Sequence, residues 1–190
     1  SHFYRQIYHL EEYYWWYRSR RNLVKQFLPS GKQLKILDIG CGNGALAYDL
    51  AGKAKSVVGI DIVEKNILKA KAKYNKPNIK YLAGDATKDL NKEKFDVIVL
   101  SNVLEHIENR TSFLKGIKHL ANKFLIRVPM FDRDWLPLYK KELGIEWRLD
   151  KTHFTEYTQE SFHKEMQIAG YQIDSLSIQF GEIWAIVKSN

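Results

Sequence analysis

Short β-branched runs alternate with helical stretches between Leu34 and Leu100, a pattern that predicts βαβ units and a parallel sheet. Residues 34–39, 56–60, 79–82 and 95–100 read as strands, with helices over 45–51, 64–73 and 112–121. In the last of these, Phe113, Leu114, Ile117, Leu120 and Ala121 recur at one-face spacing, so the helix lays an apolar stripe on the sheet. Residues 124–128 predict a fifth strand closed by Pro129.

Periodicity is lost over 130–152, where Phe131, Trp135, Tyr139 and Trp147 stand among charges. The stretch is long for a plain connection and reads as an insertion shaping an acceptor pocket. Thr158 can cap a helix whose Phe162, Met166 and Ala169 share one face, and Gly170 stands where a left-handed terminal residue is wanted. Residues 171–180 and 183–188, parted by Gly181-Glu182, predict a closing hairpin.

Composition narrows the class. With 190 residues, 45% of them hydrophobic, residues 1–190 are expected to form one domain around one core. No stretch approaches the roughly 20 apolar residues that span a bilayer, and the N-terminus has no signal-like run, so membrane insertion is not expected and a cytoplasmic location is. Cys41 is the single cysteine, which excludes an intramolecular disulfide and a thiol-based zinc site; no metal is expected. The net charge of +8 favours anionic partners, but Lys65, Lys69, Lys71, Lys73, Lys76 and Lys80 read as a solvated helix face.

The chemistry begins where the first strand runs through Asp38 into Gly40-Cys41-Gly42-Asn43-Gly44 and then a helix. Glycines there allow a sharp turn and a close ligand approach. The same letters fit a dinucleotide turn, so an NAD-dependent oxidoreductase is an alternative. Asp38 argues against it, because a carboxylate beside a pyrophosphate in a partly dry crevice is repelled. S-adenosylmethionine (SAM) offers an ammonium and a sulfonium instead. Asp61, ending the second strand roughly 20 residues beyond the turn, suits ribose hydroxyls in either reading. Asp85, in Gly84-Asp85-Ala86 after the third strand, either accepts from an adenine amino group or caps a helix.

These residues resemble the class I SAM-dependent methyltransferases, in the broad group of UbiE-like and type 11 enzymes. The likeness rests on Leu37-Asp38-Ile39-Gly40-Cys41-Gly42-Asn43-Gly44, Gly59-Ile60-Asp61, Gly84-Asp85-Ala86 and the run from Phe95 through Ser101-Asn102-Val103-Leu104-Glu105-His106-Ile107, in that order. It implies a Rossmann-like three-layer α/β/α sandwich with a seven-stranded, mostly parallel sheet in the order 3-2-1-4-5-7-6, strand 7 antiparallel. SAM would lie across the carboxyl ends of strands 1 to 4 and leave as S-adenosylhomocysteine. The positions carried over for it are Asp38, Gly40, Cys41, Gly42, Gly44, Asp61, Ile62, Asp85, Ala86, Ser101, Asn102 and Val103. Tyr14-Trp15-Trp16-Tyr17-Arg18-Ser19-Arg20-Arg21 looks like an element that covers the cofactor in some members, with Trp16 and Arg20 in contact and residues 1–30 as a helical cap. The competing reading is an amphipathic helix that only packs its rings.

Methyl transfer asks an enzyme to align donor and acceptor and to exclude water, with proton removal added for a hydroxyl or protonated amine. Glu105 and His106, in the loop after strand 4, and His153, at the end of the insertion, are the candidates for acceptor contact or base work. Each also has a structural explanation, as a helix-orienting carboxylate, a backbone-paired imidazole and a ring packed beside Phe154. The acceptor is narrowed by absences. An Asn/Asp-Pro-Pro-aromatic loop for nucleobase amines is replaced by Ser101-Asn102-Val103-Leu104, and no cysteine lies near a proline for carbon-5 chemistry, so nucleic acid is disfavoured and a small molecule expected. A SAM-binding protein without catalysis is the remaining alternative.

Overall fold

A computed structural model describes residues 34–90 and 93–189. Its element order is β1 (Lys35–Ile39), α1 (Ala45–Leu50), β2 (Ser56–Asp61), α2 (Glu64–Lys73), β3 (Ile79–Ala83), α3 (Ala86–Asp89), β4 (Val97–Ser101), α4 (Arg110–Ile117), β5 (Lys123–Pro129), α5 (Trp135–Glu142), α6 (Gln159–Ala169), β6 (Tyr171–Gln179) and β7 (Glu182–Ser189). Single 3-10 turns at Leu104–His106 and Lys118–Leu120 flank α4.

The strands form one seven-stranded sheet in the order β3-β2-β1-β4-β5-β7-β6. The first five are parallel, and β7 runs antiparallel to both β5 and β6. This is the expected Rossmann-like order. Successive strand residues face opposite sides of a sheet, yet Ile36 and Leu37 are both fully buried, so β1 is covered on both faces. That double burial explains why the strands read as continuous apolar runs.

α6 shows how sequence sets a boundary and a face. Thr158 and Ser161 close a reciprocal capping box, and Gly170 ends the helix at φ +80°. Phe162, Met166 and Ala169 are buried between those ends, and truncating a buried Phe to Ala costs about 3–5 kcal/mol. The helix after β4 starts at Arg110, with Asn109 as its cap, and tightens into a 3-10 turn before Ala121. The hairpin turns on Phe180 and Gly181, both at positive φ, one residue earlier than Gly181-Glu182.

The stretch 130–152, which shows no clear periodicity in the sequence, contains α5, capped by the Asp134 side chain on Leu136 N. Its apolar residues hid it: Trp135, Leu136, Leu138 and Tyr139 are all exposed and trace no single buried stripe. Among the described residues, no helix is long and apolar enough to cross a membrane. Trp16, Arg20 and the proposed cap over 1–30 lie outside the described residues.

Candidate active site

β1 ends in a turn that the backbone holds tightly. The amides of Gly40 and Cys41 both donate to the Ile60 carbonyl at the end of β2, at 2.8 and 3.1 Å. Gly42 N then donates to Asp61 Oδ2 at 2.9 Å, while Asp61 Oδ1 accepts from Val63 N at 2.8 Å. Asp61 thus ties the glycine turn to the start of α2, and the remaining lone pairs of its carboxylate are available to a ligand. Gly42, at φ +54°, has nothing among the described residues within 4 Å of where a side chain would begin, so the turn presents bare backbone there.

Asp38 lies one strand position short of that turn and is 1% exposed. Its Oδ2 has no hydrogen-bond partner among the described residues. Burial, helped by the neighbouring Asp61 carboxylate, pushes the Asp38 carboxyl up to about 8. Cys41, also buried, has its thiol pushed upward by the same burial and by both carboxylates, so it is an uncharged wall of the site. A buried carboxyl with an orphan oxygen beside open backbone fits a cationic, phosphate-free nucleoside. A diphosphate would set further negative charge beside these two carboxyl groups.

Asp85 caps α3, with Oδ1 accepting from Thr87 N at 2.9 Å and Thr87 Oγ1 at 2.7 Å, and with Lys88 3.0 Å from Oδ2. Those bonds, led by the Thr87 hydroxyl, hold its carboxyl below the ordinary range. Ala86 is buried beside it, whereas Ile62, directly after Asp61, is 80% exposed.

The chain leaves β4 through Asn102, which adopts a left-handed φ of +57° and donates its backbone amide to Arg127 O at 2.9 Å. A non-glycine residue in that region marks a turn held by its surroundings. The Asn102 side-chain amide donates to Glu105 Oε1 at 2.8 Å. Glu105 is fully buried, its Oε2 lacks a partner among the described residues, and burial pushes its carboxyl up to about 7.

Sequence-distant segments meet at this carboxyl. Phe154 N donates to the Glu105 carbonyl at 2.7 Å, which draws the end of the insertion onto the turn after β4. The rings of His106 and His153 consequently pack edge to face with centroids 4.7 Å apart. Donor atoms of Glu105, His106 and His153 all lie within 4.8 Å of one another. Burial first, and His153 second, lower the His106 pKa, so its ring is neutral at neutral pH.

Partners behind the two imidazoles, none of them named from the sequence as site residues, orient the rings. Thr152 donates its only hydroxyl proton to Asp150 at 2.8 Å, so its oxygen must accept from His106 Nδ1 at 3.0 Å. His153 Nδ1 lies 3.0 Å from Glu156 Oε1. Glu156 is buried, but hydrogen bonds from His153, Leu149 N and Arg133 outweigh that burial and hold it ionised, as an acceptor for the His153 Nδ1 proton. With Nδ1 of each ring engaged in this way, Nε2 is the nitrogen left to other contacts. The adjacency of Thr152 and His153 and the three-residue spacing of His153 and Glu156 are the signals in the sequence that could have found these partners.

The methyltransferase-domain family model matches residues 10–176. A ubiquinone biosynthesis O-methyltransferase from Pelagibacter ubique is 38% identical over 111 residues, 55% of this chain and 46% of that protein. One from Rickettsia bellii is 28% identical over 172 residues, 86% of this chain and 69% of that protein. The chain spans about half the length of several of the curated relatives it matches. Among solved structures, the magnesium protoporphyrin IX methyltransferase from Synechocystis PCC 6803 with bound S-adenosylhomocysteine superposes with a TM-score of 0.68 at 19% identity, covering 91% of this chain and 81% of that one. With the ordered motifs, the sheet order and the glycine turn in agreement, the chain belongs to the methyltransferase-domain family, as a class I SAM-dependent member.

Proposed function

We propose that this protein transfers the methyl group of SAM to an oxygen of a small-molecule acceptor. The observation that carries the donor half is Asp38, a buried carboxyl with an oxygen that has no hydrogen-bond partner among the described residues, next to a bare-backbone turn. When bound, SAM supplies a methyl carbon already activated by its sulfonium. Asp38 holds the cationic end of the donor, Gly40, Cys41, Gly42 and Gly44 give backbone access, and Asp61 takes the ribose. Exposed Ile62 and buried Ala86 offer apolar surface to the adenine, with Asp85 at its amino edge. Ser101, Asn102 and Val103 line the approach from β4. The family membership favours this reading over an NAD-dependent oxidoreductase using the same turn.

The acceptor half falls to Glu105, His106 and His153 at the same carboxyl edge of the sheet. The names of the relatives support oxygen as the atom methylated, and an O–H acceptor is what two imidazoles and a buried carboxyl gathered at one place can activate. The insertion supports a small, partly aromatic acceptor: Phe131 and Trp147 stack edge to face at 4.8 Å beside Lys141. Incubating the protein with SAM and a panel of small phenols, catechols and hydroxy acids tests the reading by mass spectrometry. S-adenosylhomocysteine formed together with an O-methylated product supports it. S-adenosylhomocysteine absent with every acceptor, despite measurable SAM binding, overturns it in favour of a non-catalytic SAM-binding protein.

A further inference from the structure

We propose that Glu105, His106 and His153 bind a divalent transition-metal ion, with zinc the best chemical match, leaving a coordination position open to the acceptor oxygen. The role given to the ion rests on the methyl-transfer reading, but its binding does not.

The donor set is one carboxylate oxygen and two imidazole nitrogens, with donor atoms within 4.8 Å of one another. A tetrahedral ion with bonds of about 2.1 Å places its ligand atoms about 3.4 Å apart, a closure that side-chain rotation supplies. Two imidazoles select zinc and its first-row neighbours over magnesium or calcium, which prefer all-oxygen shells. Three protein ligands plus an open site is the arrangement of catalytic rather than structural zinc.

Two further observations point to a cation. Fully buried Glu105 leaves Oε2 without a hydrogen-bond partner among the described residues, an expensive omission unless something positive completes it. Each imidazole is also backed as metal-bound histidines are. The Thr152 hydroxyl, itself bound to Asp150, orients His106 through Nδ1, and the Glu156 carboxylate orients His153 through Nδ1. These contacts fix the direction of each ring and leave Nε2 as the nitrogen available to a ligand. His153 and Glu105 are buried while His106 is exposed, so the open side faces the surface from which an acceptor enters.

An ion there would lower the pKa of a coordinated hydroxyl, making an alkoxide or phenoxide available at neutral pH. The O–H proton passes to solvent, the oxygen electron pair forms the new bond to the methyl carbon, and the C–S bond breaks with its pair going to sulfur. The sulfonium becomes a neutral thioether, and the ion is neither oxidised nor reduced.

Equilibrium dialysis of the full chain against Zn²⁺, Mn²⁺ and Mg²⁺, with the retained metal counted by mass spectrometry, tests the site without SAM or acceptor. Retention of zinc in preference to magnesium is expected. His106→Ala, a change at an exposed side chain, weakens it by at least about tenfold, and Thr152→Val, which exchanges the orienting hydroxyl for a methyl group, by about tenfold. Co²⁺ gives a visible absorption band that His106→Ala abolishes. No retained transition metal, or zinc affinity unchanged in His106→Ala, overturns the proposal. SAM titration of the metal-free protein reports separately on the methyltransferase reading.

Discussion

Val103 Cγ2 lies 2.7 Å from the position that a Cβ on Gly40 would occupy, so the glycine turn after β1 and the loop after β4 touch at a point with no room for a methyl group. The contact joins the part of the chain proposed to hold the donor to the part that presents Glu105 and His106. It also explains why Gly40 carries two burdens at once, a positive φ of +68° and a tight neighbour.

Gly40→Ala is therefore expected to cost about 1–3 kcal/mol, from left-handed strain and the clash together. Adding Val103→Ala relieves the clash but not the strain, so the double variant recovers part of the loss. Urea unfolding of the single and double variants measures both, and strictly additive losses would contradict the contact.

Asp38 makes SAM binding depend on pH. Its carboxyl is held up at about 8 in the free protein by burial and by Asp61, against an ordinary 3.8. The neighbouring Cys41 thiol and Tyr81 hydroxyl are both pushed upward, chiefly by burial, and stay neutral, which leaves the Asp61 carboxylate as the neighbour among the described residues that acts on it by charge. The folded free protein keeps a proton that the unfolded chain releases above about pH 4, so this group destabilises the free fold progressively as pH rises toward 8. A cation beside Asp38 favours the ionised form, so SAM uptake expels the proton below pH 8. Affinity tightens with rising pH up to that value, by at most about tenfold per pH unit. Calorimetry in buffers of different ionisation heat detects the released proton, and Asp38→Asn eliminates it.

A stability test away from the site concerns Tyr171. Its buried hydroxyl donates to the Leu114 carbonyl at 2.8 Å, linking the start of β6 to α4. Tyr171→Phe leaves that carbonyl without this partner and is expected to destabilise by about 1–3 kcal/mol, with SAM affinity unchanged. A change below measurement error would show that water replaces the hydroxyl.

The sheet was legible because parallel strands buried on both faces are written as unbroken apolar runs, and because Gly40, Asp61 and Asp85 mark the strand ends that must turn. Helix α5 was not, since Trp135, Leu136, Leu138 and Tyr139 face solvent and produce no stripe. Asp85 illustrates a different limit: the same side chain that was read as an adenine acceptor or a helix cap does serve as the cap of α3, and its spare lone pairs leave the first role open. Glu105, His106 and His153 were each nominated singly. Their meeting depends on one backbone bond, Phe154 N to the Glu105 carbonyl, between segments far apart in the chain. No local pattern announces such a contact, and Glu156, Thr152 and Asp150 became visible only once it was formed.

Turnover separates the two halves of the site. His106→Ala is expected to leave SAM affinity within about twofold while lowering kcat by about 10²-fold or more, the size of effect that loss of a proton-handling group produces. A matched loss of SAM affinity would show that His106 belongs to the donor half instead.

The most direct measurement is calorimetric titration of SAM into the wild-type protein and into Asp38→Ala, with NAD as the control ligand. One molecule of SAM bound per chain, affinity lowered at least about tenfold in Asp38→Ala by loss of a buried charge partner, and no heat with NAD are the predicted results. SAM binding that ignores the substitution, or NAD binding that survives or improves with it, would contradict the assignment of Asp38 as the group that selects a cationic donor.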